Sequence, residues 1–543
     1  MSRRKLVLCV VDSLRTDMLL EAARGGTAPT FATLLERGSL IGDCVAAFPS
    51  VTPVCNSEIV TGERPDRHWI SGSNWYHRTE GRYIEYGSSF EATRAFGLFR
   101  SLYDIVYNMN MSHLSHEVET LFERLGDHGV RSACTPFLIY RGRTRHELGL
   151  EGLLRRVAVA ASFHHATWGP DELFYGELYS SRAVGCKPTL ARPGTRDEYS
   201  ACVGRELVAN DLYEFLLFSL PDNDYHSHKF GPEAQIESIG RADAAFAELA
   251  DAAGGLDEFL EQNAVVLLAD HAQTRVEHPV PLAEALGSDW RVLEPNEGAE
   301  PAELAVSPIA RAGAVYVLDE GRRAERTHSR VRARLREIEG VDLFAWLAGD
   351  EAAVERDGAE LRFRPGSEVA DRRGVGWDLE GDLGALRAET RDGTFDSETY
   401  PDALSRLWSA LRAPYAGDIL ISAATGYELV DWGGVTHCPG GSHGSLDAGD
   451  SLGPLLLCGL EPGTEAIRER WGLHDIAGLV LDHFGIDGRP GALRMRSAGA
   501  PTGSEVQGRP GRGRPTRRSR IAPGAWCGAS TSARASPRTG CSS

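Results

Sequence analysis

Residues 6–11 read LVLCVV, and Asp12 follows them directly. A short, uninterrupted apolar run that is half valine is typical of a strand buried on both faces of a parallel sheet. Functional sites in such sheets form beyond the carboxyl ends of the strands, which is where Asp12 stands. The run therefore predicts a central parallel strand that delivers a carboxylate to a site.

Two later segments repeat this arrangement. Residues 215–220 (FLLFSL) precede the acidic, histidine-rich segment 222–228 (DNDYHSH), and residues 265–269 (VVLLA) precede Asp270 and His271. One acidic residue after a strand carries little information. Three strand ends that offer Asp, or Asp with His, indicate one shared site.

Helical patterns lie between these strands. Residues 117–125 and 239–249 both place apolar side chains at helical spacing. Alternation of buried strands and helices is typical of an α/β fold. We therefore expect a mostly parallel central sheet flanked by helices.

Two insertions interrupt this alternation. Residues 78–115 are rich in aromatic side chains and form either a locally packed subdomain or a cap that shapes a pocket. Residues 279–435 are a long, charged insertion with its own strand signal at 314–318. A strand at 454–458 and a helix at 476–484 then complete the domain.

The composition changes near the C-terminus. From about residue 495 to residue 543 the chain consists mainly of Arg, Gly, Pro, Ser, Ala and Thr. Such a segment has too little apolar surface to form a core. We predict one folded domain over residues 1–494 and a disordered tail over residues 495–543.

Charge and hydropathy exclude two classes of partner. The formal net charge of −19 disfavours binding of a nucleic-acid polymer, because phosphate backbones repel an acidic surface. The N-terminal apolar run, residues 6–11, is too short for a signal-peptide core or a membrane span. We expect a cytoplasmic protein.

The ten cysteines are scattered, without a CxxC pair, and several stand in apolar runs. This distribution predicts buried free thiols rather than a disulfide framework.

Three candidate nucleophiles occur together in residues 48–62 (FPSVTPVCNSEIVTG), namely Thr52, Cys55 and Ser57. Pro53 suits the first position of a helix, which makes Thr52 the expected N-cap. Free backbone N–H groups and the helix dipole at such a point favour an anionic group such as phosphate.

Asp and His at strand ends are the ligand types of hydrolytic zinc sites. Two divalent ions a few ångströms apart can clamp the attacking and leaving oxygens of an in-line phosphoryl displacement. Each ion needs about three protein ligands and an open position. The three strand ends, together with His443 in residues 441–444 (GSHG), supply about that number.

These motifs, in this order, resemble the alkaline phosphatase superfamily, specifically its type I phosphodiesterase/nucleotide pyrophosphatase branch. The resemblance extends from about Leu6 to Gly485. Residues 10–15 (VVDSLR) are similar to the family's first strand and metal-binding Asp. Residues 268–274 (LADHAQT) are similar to its Ser-Asp-His-Gly-Met motif, with Ala in place of Gly, and residues 441–444 to its late His-Gly motif.

The nucleophile motif of the family is similar to residues 48–52, followed by Thr61 and Gly62. Counting back from Thr61 and Gly62 places Thr52 on the family's nucleophilic Thr. Cys55 then stands where this branch usually has Asn.

The resemblance implies a catalytic domain of the alkaline-phosphatase type over residues 1–494, with two divalent metal ions inferred to be Zn²⁺. It implies one ion held by Asp12, Thr52, Asp270 and His271, and another held by Asp224, His228 and His443.

The segment 222–228 offers two pairs with the family's Asp-x-x-x-His spacing. One is Asp222 with His226, and the other is Asp224 with His228. Only the second pair continues into His-x-x-Gly-Pro, as the family does, so we assign Asp224 and His228. Asp222 and His226 are then expected to lie beside the ligands.

The family also uses a neutral donor to the phosphoryl oxygens. Asn74 is the candidate, but it lies one position beyond the place of the family's Asn, which Ser73 occupies. Ser73 is therefore the alternative.

The resemblance implies a metal-dependent hydrolase that cleaves phosphodiester or phosphoanhydride bonds of a small phosphorylated substrate through a phosphothreonine on Thr52. One alternative is a phosphomonoesterase or phosphonate hydrolase on the same scaffold. Another is a catalytically inactive binding protein, which the complete set of predicted ligands disfavours.

Overall fold

The strand Lys5–Val11 lies inside an eight-stranded sheet, between two parallel neighbours. It pairs with Phe215–Leu220 on one side and with Asn263–Leu268 on the other. Its side chains alternate between two hydrophobic cores: Leu6, Leu8 and Val10 face one, and Val7, Cys9 and Val11 face the other. Burial on both faces explains why this sequence has no polar alternation.

The sheet is parallel in its middle and antiparallel at both ends. In spatial order its strands are Ser39–Val45, Leu452–Cys458, Asn263–Leu268, Lys5–Val11, Phe215–Leu220, Ser132–Cys134, Glu172–Tyr175 and Tyr179–Ser180. The expected α/β fold with a large central sheet is confirmed.

The computed structural model describes residues 4–148, 165–175, 178–186, 195–298, 302–460 and 470–486. Residues Met1–Arg494 form one compact unit, to which all described residues belong. The tail predicted at residues 495–543 lies outside the described residues.

Helices accompany the central sheet and the insertions. The α-helices are Thr16–Arg24, Pro29–Arg37, Thr52–Thr61, Pro65–His68, Phe90–Phe96, Leu98–Tyr103, Leu121–Asp127, Arg196–Ala209, Asp222–Phe230, Gln235–Asp251, Leu256–Gln262, Leu282–Gly287, Gly321–Leu335, Ala403–Arg412, Ala448–Ser451 and Ile476–His483. A π-helix spans Asp104–His113, and 3₁₀ turns span Pro232–Ala234, Leu383–Leu386 and Leu473–Asp475. No described helix is long and apolar enough to cross a bilayer.

The insertion predicted at 279–435 contributes a second, nine-stranded sheet. Its strands are Leu304–Ile309, Ala312–Val317, Ile419–Ala423, Val341–Ala348, Glu351–Arg356, Ala359–Asp371, Thr394–Asp396 and Glu389–Arg391, with Gly376–Gly381 paired to Ala359–Asp371. A three-stranded sheet of Gly426–Leu429, Thr274–Val280 and Gly440–Ser442 joins the end of this insertion to the segment before His443. The insertion is therefore continuous with the elements that carry the site.

The aromatic segment contains the hairpin of Asn74–His77 and Arg82–Glu85. Another short antiparallel pair joins Thr144–His146 and Thr167–Gly169. Tyr83 is buried and its hydroxyl donates to the carbonyl of Leu293 at 3.0 Å. The segment thus packs against the long insertion.

The helix that carries the candidate nucleophiles begins at Thr52, and its N-cap is Val51. The predicted N-cap was therefore one residue too late. The carbonyl of Val51 accepts the first bonds, from the N–H groups of Val54 and Cys55 at 3.0 Å each. Pro53 has no N–H, but it still costs no helical hydrogen bond, because it stands before the first N–H group that the helix pairs.

The prediction of buried free thiols holds for most of the described cysteines, with one exception. Cys186 and Cys202 form a disulfide bond with their Cα atoms 5.9 Å apart. Cys202 lies on the helix Arg196–Ala209, and Cys186 stands 16 residues earlier in the chain. Their spacing in the sequence does not predict this bond, because the two cysteines do not form a CxxC pair. The other described cysteines are free thiols, and only Cys438 among them is partly exposed.

Candidate metal and nucleophile site

Three neighbouring strands of the central sheet end at one edge, and their carboxyl ends carry the predicted acidic residues. Asp12 follows Lys5–Val11, and Asp270 with His271 follows Asn263–Leu268. Because these strands are parallel neighbours, their carboxyl ends lie side by side.

The other candidate ligands reach this edge from a helix and a loop. Asp224 and His228 stand one turn apart on the helix Asp222–Phe230, which begins just after the third strand. His443 follows the short strand Gly440–Ser442. The structure thus brings residues from four distant segments to one place.

The first group of possible ligand atoms belongs to Asp12, Asp270 and His271, with all three atoms within 4.8 Å of one another. Nε2 of His271 lies 3.8 Å from Oδ1 of Asp12 and 3.5 Å from Oδ2 of Asp270. The other oxygen of Asp270 accepts the backbone N–H groups of Ser13, at 3.1 Å, and His271, at 3.0 Å. One oxygen of Asp270 is therefore held by the backbone and the other faces the group.

The second group contains Asp224, His228 and His443, again with ligand atoms within 4.8 Å of one another. Oδ1 of Asp224 lies 3.3 Å from Nε2 of His228 and 3.7 Å from Nε2 of His443. The rings of His443 and His271 stack with their centroids 3.8 Å apart. The two groups are thus in direct contact.

All three histidines turn Nε2 towards the carboxylates. Nδ1 of His228 donates to the carbonyl of Gly441 at 2.8 Å, and Nδ1 of His443 donates to that of Ser50 at 2.8 Å. Nδ1 of His271 lies 3.2 Å from the carbonyl of Ala272. A backbone acceptor at Nδ1 fixes the tautomer in which Nε2 carries a lone pair, which is how metal-binding histidines are oriented.

Thr52 lies at the first group. Its hydroxyl is 3.3 Å from Nε2 of His271, at the N-terminal end of the helix Thr52–Thr61. The other two candidate nucleophiles point elsewhere: Cys55 is fully buried, and the hydroxyl of Ser57 donates to the carbonyl of Pro53 at 2.7 Å. Of the three, Thr52 is the one whose hydroxyl lies beside a candidate ligand.

Burial governs the protonation of the first group. Burial, followed by the neighbouring charges of Asp270 and Asp224, raises the pKa of Asp12 well above its usual value. Burial also raises the pKa of Asp270 to about 6 and lowers that of His271 to about 4. A carboxylate cluster of this kind can be fully ionised only beside a positive charge.

In the second group, opposite charges outweigh burial. Burial alone would raise the pKa of Asp224, but the facing His228 and His443 hold it well below its usual value. Burial lowers the pKa of His443 to about 3. Burial alone would also lower the pKa of His228, but the facing charge of Asp224 raises it above its usual value. Metal ligation requires a neutral imidazole, so an ion bound here would displace a proton from His228, whereas His443 is already neutral.

The donor set fits two divalent cations. Oδ1 of Asp12 and Oδ2 of Asp270 are buried and have no hydrogen-bond partner. Unpaired buried carboxylate oxygens are costly unless a cation or a donor satisfies them. Two Asp/His groups in contact therefore have the chemistry of a paired metal site.

Two residues that the sequence reading missed connect the groups. The hydroxyl of Ser13 lies 2.6 Å from Oδ1 of Asp224 and 3.1 Å from Nδ1 of His271. The amide of Gln273 donates to Oδ1 of Asp224 at 2.5 Å and to the Ser13 hydroxyl at 3.1 Å. Ser13 follows Asp12 directly and Gln273 stands two residues after His271, and this proximity in the chain is the signal that could have identified them.

The alternative pair in the segment 222–228 faces away from both groups. Oδ2 of Asp222 accepts from the backbone N–H of Asp197 at 2.9 Å, and Nδ1 of His226 lies 3.0 Å from a guanidinium nitrogen of Arg241. These contacts lead to Asp197 and Arg241 and not to a candidate ligand, although Asp222 and His226 were expected beside the ligands.

The structure places Asn74 against the long insertion. Its amide nitrogen lies 2.6 Å from the carbonyl of Pro308 and 3.4 Å from Oδ1 of Asp431. Both amide hydrogens thus face protein acceptors. Within the described residues, the side chain of Ser73 forms no hydrogen bond or ion pair.

His437 also borders the second group. Its ring stacks on that of His228, with the centroids 3.8 Å apart, and its Nδ1 lies 2.6 Å from Oε1 of Glu428. His437 thus packs on a candidate ligand while Glu428 holds its ring in place.

Comparison with solved structures finds the same fold. The phosphonoacetate hydrolase from Sinorhizobium meliloti 1021, in complex with phosphonoformate, is 17% identical, with 89% of this chain and 96% of that chain covered and a TM-score of 0.53. Its complex with phosphonoacetate gives the same values. Human ectonucleotide pyrophosphatase/phosphodiesterase 5 is 13% identical, with 90% and 96% covered and a TM-score of 0.51. These identities establish similarity of fold.

Sequence comparison adds one result. A family model described as "Type I phosphodiesterase / nucleotide pyrophosphatase" matches residues 6–446, which include all the candidate ligands and Thr52. No curated protein matches the chain.

Proposed function

The chain belongs to the type I phosphodiesterase/nucleotide pyrophosphatase family, and from this premise we propose that it hydrolyses phosphodiester or phosphoanhydride bonds with Thr52 as the nucleophile. It is a hydrolase, and its family is metal-dependent. The observation that carries the proposal is the position of the Thr52 hydroxyl, 3.3 Å from His271 and beside the two contacting Asp/His groups.

The proposed ligands of one metal ion are Asp12, Thr52, Asp270 and His271, and those of the other are Asp224, His228 and His443. We propose Zn²⁺ for both, because Asp and His are its usual ligands in hydrolytic sites. When bound, the two ions would supply positive charge for the phosphoryl oxygens and for the attacking and leaving oxygens.

The chain's own groups perform the displacement. Thr52 attacks phosphorus, the leaving oxygen departs in line, and the phosphoryl group is carried as a phosphothreonine that water then hydrolyses. Two in-line displacements give net retention at phosphorus. The N-terminal end of the helix Thr52–Thr61 places the positive end of the helix dipole beside this group.

For the neutral donor to the phosphoryl oxygens we favour Ser73 over Asn74. Both amide hydrogens of Asn74 face Pro308 and Asp431, so Asn74 would have to rotate before it could bind substrate. The substrate class is a small phosphorylated molecule. The cytoplasmic location expected from the N-terminal sequence stays a prediction.

A phosphonate hydrolase is the second candidate, since the same fold carries that activity in the Sinorhizobium protein. A phosphomonoesterase is the remaining variant of the reaction.

The test compares substrates on the zinc-loaded protein. We expect faster hydrolysis of thymidine monophosphate p-nitrophenyl ester than of p-nitrophenyl phosphate, with no release of phosphate from phosphonoacetate. A tenfold preference for the monoester, or turnover of phosphonoacetate above that of the diester, would overturn the diesterase assignment.

A further inference from the structure

A further group of buried oxygen atoms lies outside the two groups beside Thr52. Asn74 and Glu85 pair directly across the antiparallel hairpin, so their side chains stand next to each other on one face. Asp431, in the loop after the strand Gly426–Leu429, meets them there. Its Oδ1 is 3.4 Å from the amide nitrogen of Asn74.

One hydroxyl joins the two carboxylates. Oγ of Ser88 lies 2.9 Å from Oε1 of Glu85 and 2.7 Å from Oδ2 of Asp431. A serine hydroxyl has a single proton, so it can donate to only one of them. The other close oxygen–oxygen contact requires a proton on a carboxylate or a cation nearby.

The charge of this group is not balanced by the protein. Within the ranges that the structure describes, neither Glu85 nor Asp431 forms an ion pair with Lys or Arg, and no basic residue is among the main influences on either pKa. Burial, then the charge of Asp431, raises the pKa of Glu85 well above its usual value, and burial raises the pKa of Asp431 to about 7. Both can be ionised together only if positive charge is supplied.

Two oxygens of the group have no hydrogen-bond partner. They are Oε2 of Glu85, whose residue is 1% exposed, and Oδ1 of Asn74, whose residue is fully buried. A proton on Oε2 could be donated to Oδ1 of Asn74 and would satisfy both atoms without any ion, so a titration with metal salts has to distinguish a bound cation from a bound proton. An ion that accepts lone pairs from both oxygens would satisfy them.

We propose that Glu85, Asp431 and Asn74 form a binding site for a hard divalent cation of the Ca²⁺ or Mg²⁺ class. The donor set consists entirely of oxygen, which such ions prefer, whereas both groups beside Thr52 contain histidine. Ser88 is exposed, so this side admits the ion and the waters that complete its coordination. The bound ion joins the hairpin to the loop that leads towards His437.

The test uses the full chain with zinc already bound, titrated with CaCl₂ or with MgCl₂ in a calorimeter. We expect one additional ion per chain for at least one of the two salts. Glu85→Gln keeps the shape of the side chain and removes its charge, and it should weaken that binding at least tenfold. Glu91→Gln changes an exposed glutamate nearby and should bind as the wild type does.

Thermal unfolding provides a second measurement that does not depend on a variant. The Tm of wild-type protein should rise with the concentration of the bound ion, because the ion stabilises the folded state by mass action. The site is overturned if neither ion binds or raises the Tm up to 10 mM, or if Glu85→Gln and Asp431→Asn bind it as tightly as wild type. Ion counts do not depend on turnover, so failure of the hydrolase assays would leave this result intact.

Discussion

The hydroxyl of Ser13 donates a hydrogen bond of 2.6 Å to Asp224, although the two residues are 211 positions apart in the chain. The same hydroxyl lies 3.1 Å from Nδ1 of His271. Asp224 belongs to one proposed metal group and His271 to the other. Ser13 therefore positions a ligand in each group.

The first prediction concerns this serine. Ser13→Ala should weaken zinc binding by about 10–100-fold, the usual effect of removing a hydrogen bond that orients a metal ligand. Ala strains the backbone no more than Ser does at the positive φ of 59°. Zinc retention is measured in competition with a chromophoric chelator.

Ser57→Ala is the matched control. Its hydroxyl is also buried, but it donates to the carbonyl of Pro53 within its own helix. Equal zinc affinity in Ser13→Ala and Ser57→Ala would show that Ser13 does not orient the ligands.

The second prediction concerns the nucleophile. Thr52→Ala should lower kcat for the diester by about 10³-fold or more, because no other hydroxyl in this helix can take its place. Thr52→Ser retains the hydroxyl and should keep measurable turnover with a trapped phosphoseryl enzyme. Turnover by Thr52→Ala within tenfold of the wild type would refute the covalent mechanism.

The third prediction decides between the two Asp/His pairs of the helix Asp222–Phe230. Asp224→Asn should lose one of two zinc ions, since it removes the charge that faces His228 and His443. Asp222→Asn should retain both, because Asp222 contacts Asp197. Metal content per chain after desalting is the measurement. Loss of zinc from Asp222→Asn alone would move the site to the other pair.

The central strands could be predicted from the sequence because burial on both faces demands an uninterrupted apolar run. The stretch 215–220 appears in the structure as the strand Phe215–Leu220, residue for residue. Asp12, Asp270 and His271 followed from the same logic, since whatever follows a parallel strand stands at the edge where sites form. That reasoning predicts from the sequence alone that Asp12 and Asp270 lie close together. The choice of Asp224, His228 and His443 followed instead from the resemblance to the family's motifs.

Other features depend on contacts that no local pattern records. The strand Glu351–Arg356 (EAAVER) belongs to the second sheet although half of its residues are charged, because its apolar residues are buried and the buried Glu355 is paired with Arg336. The contacts of Ser13 depend on its positive φ of 59°, which no sequence pattern around it predicts. The bond between Cys186 and Cys202 joins residues 16 positions apart, and no local sequence pattern pairs them.

The last prediction concerns acid stability. His68 is fully buried, and this burial lowers its pKa from 6.5 to about 3. Its Nδ1 accepts the backbone N–H of Ile70 at 3.1 Å, so the folded state holds a neutral ring. Below pH 6.5 the unfolded chain binds a proton at this residue and the folded protein does not. The free energy of unfolding should therefore fall as the pH falls from 6.5 towards 3, by up to about 1.4 kcal/mol per pH unit from His68 alone.

His68→Gln removes the titrating group and keeps a side-chain acceptor for Ile70. Urea unfolding at pH 7 and pH 5 should show a smaller loss of stability for His68→Gln than for the wild type, even if the variant is less stable at pH 7. Contributions from the other buried groups are common to both proteins and cancel in this comparison. A loss of the same size in both proteins would mean that His68 binds its proton equally well in the folded and unfolded states, contrary to its burial.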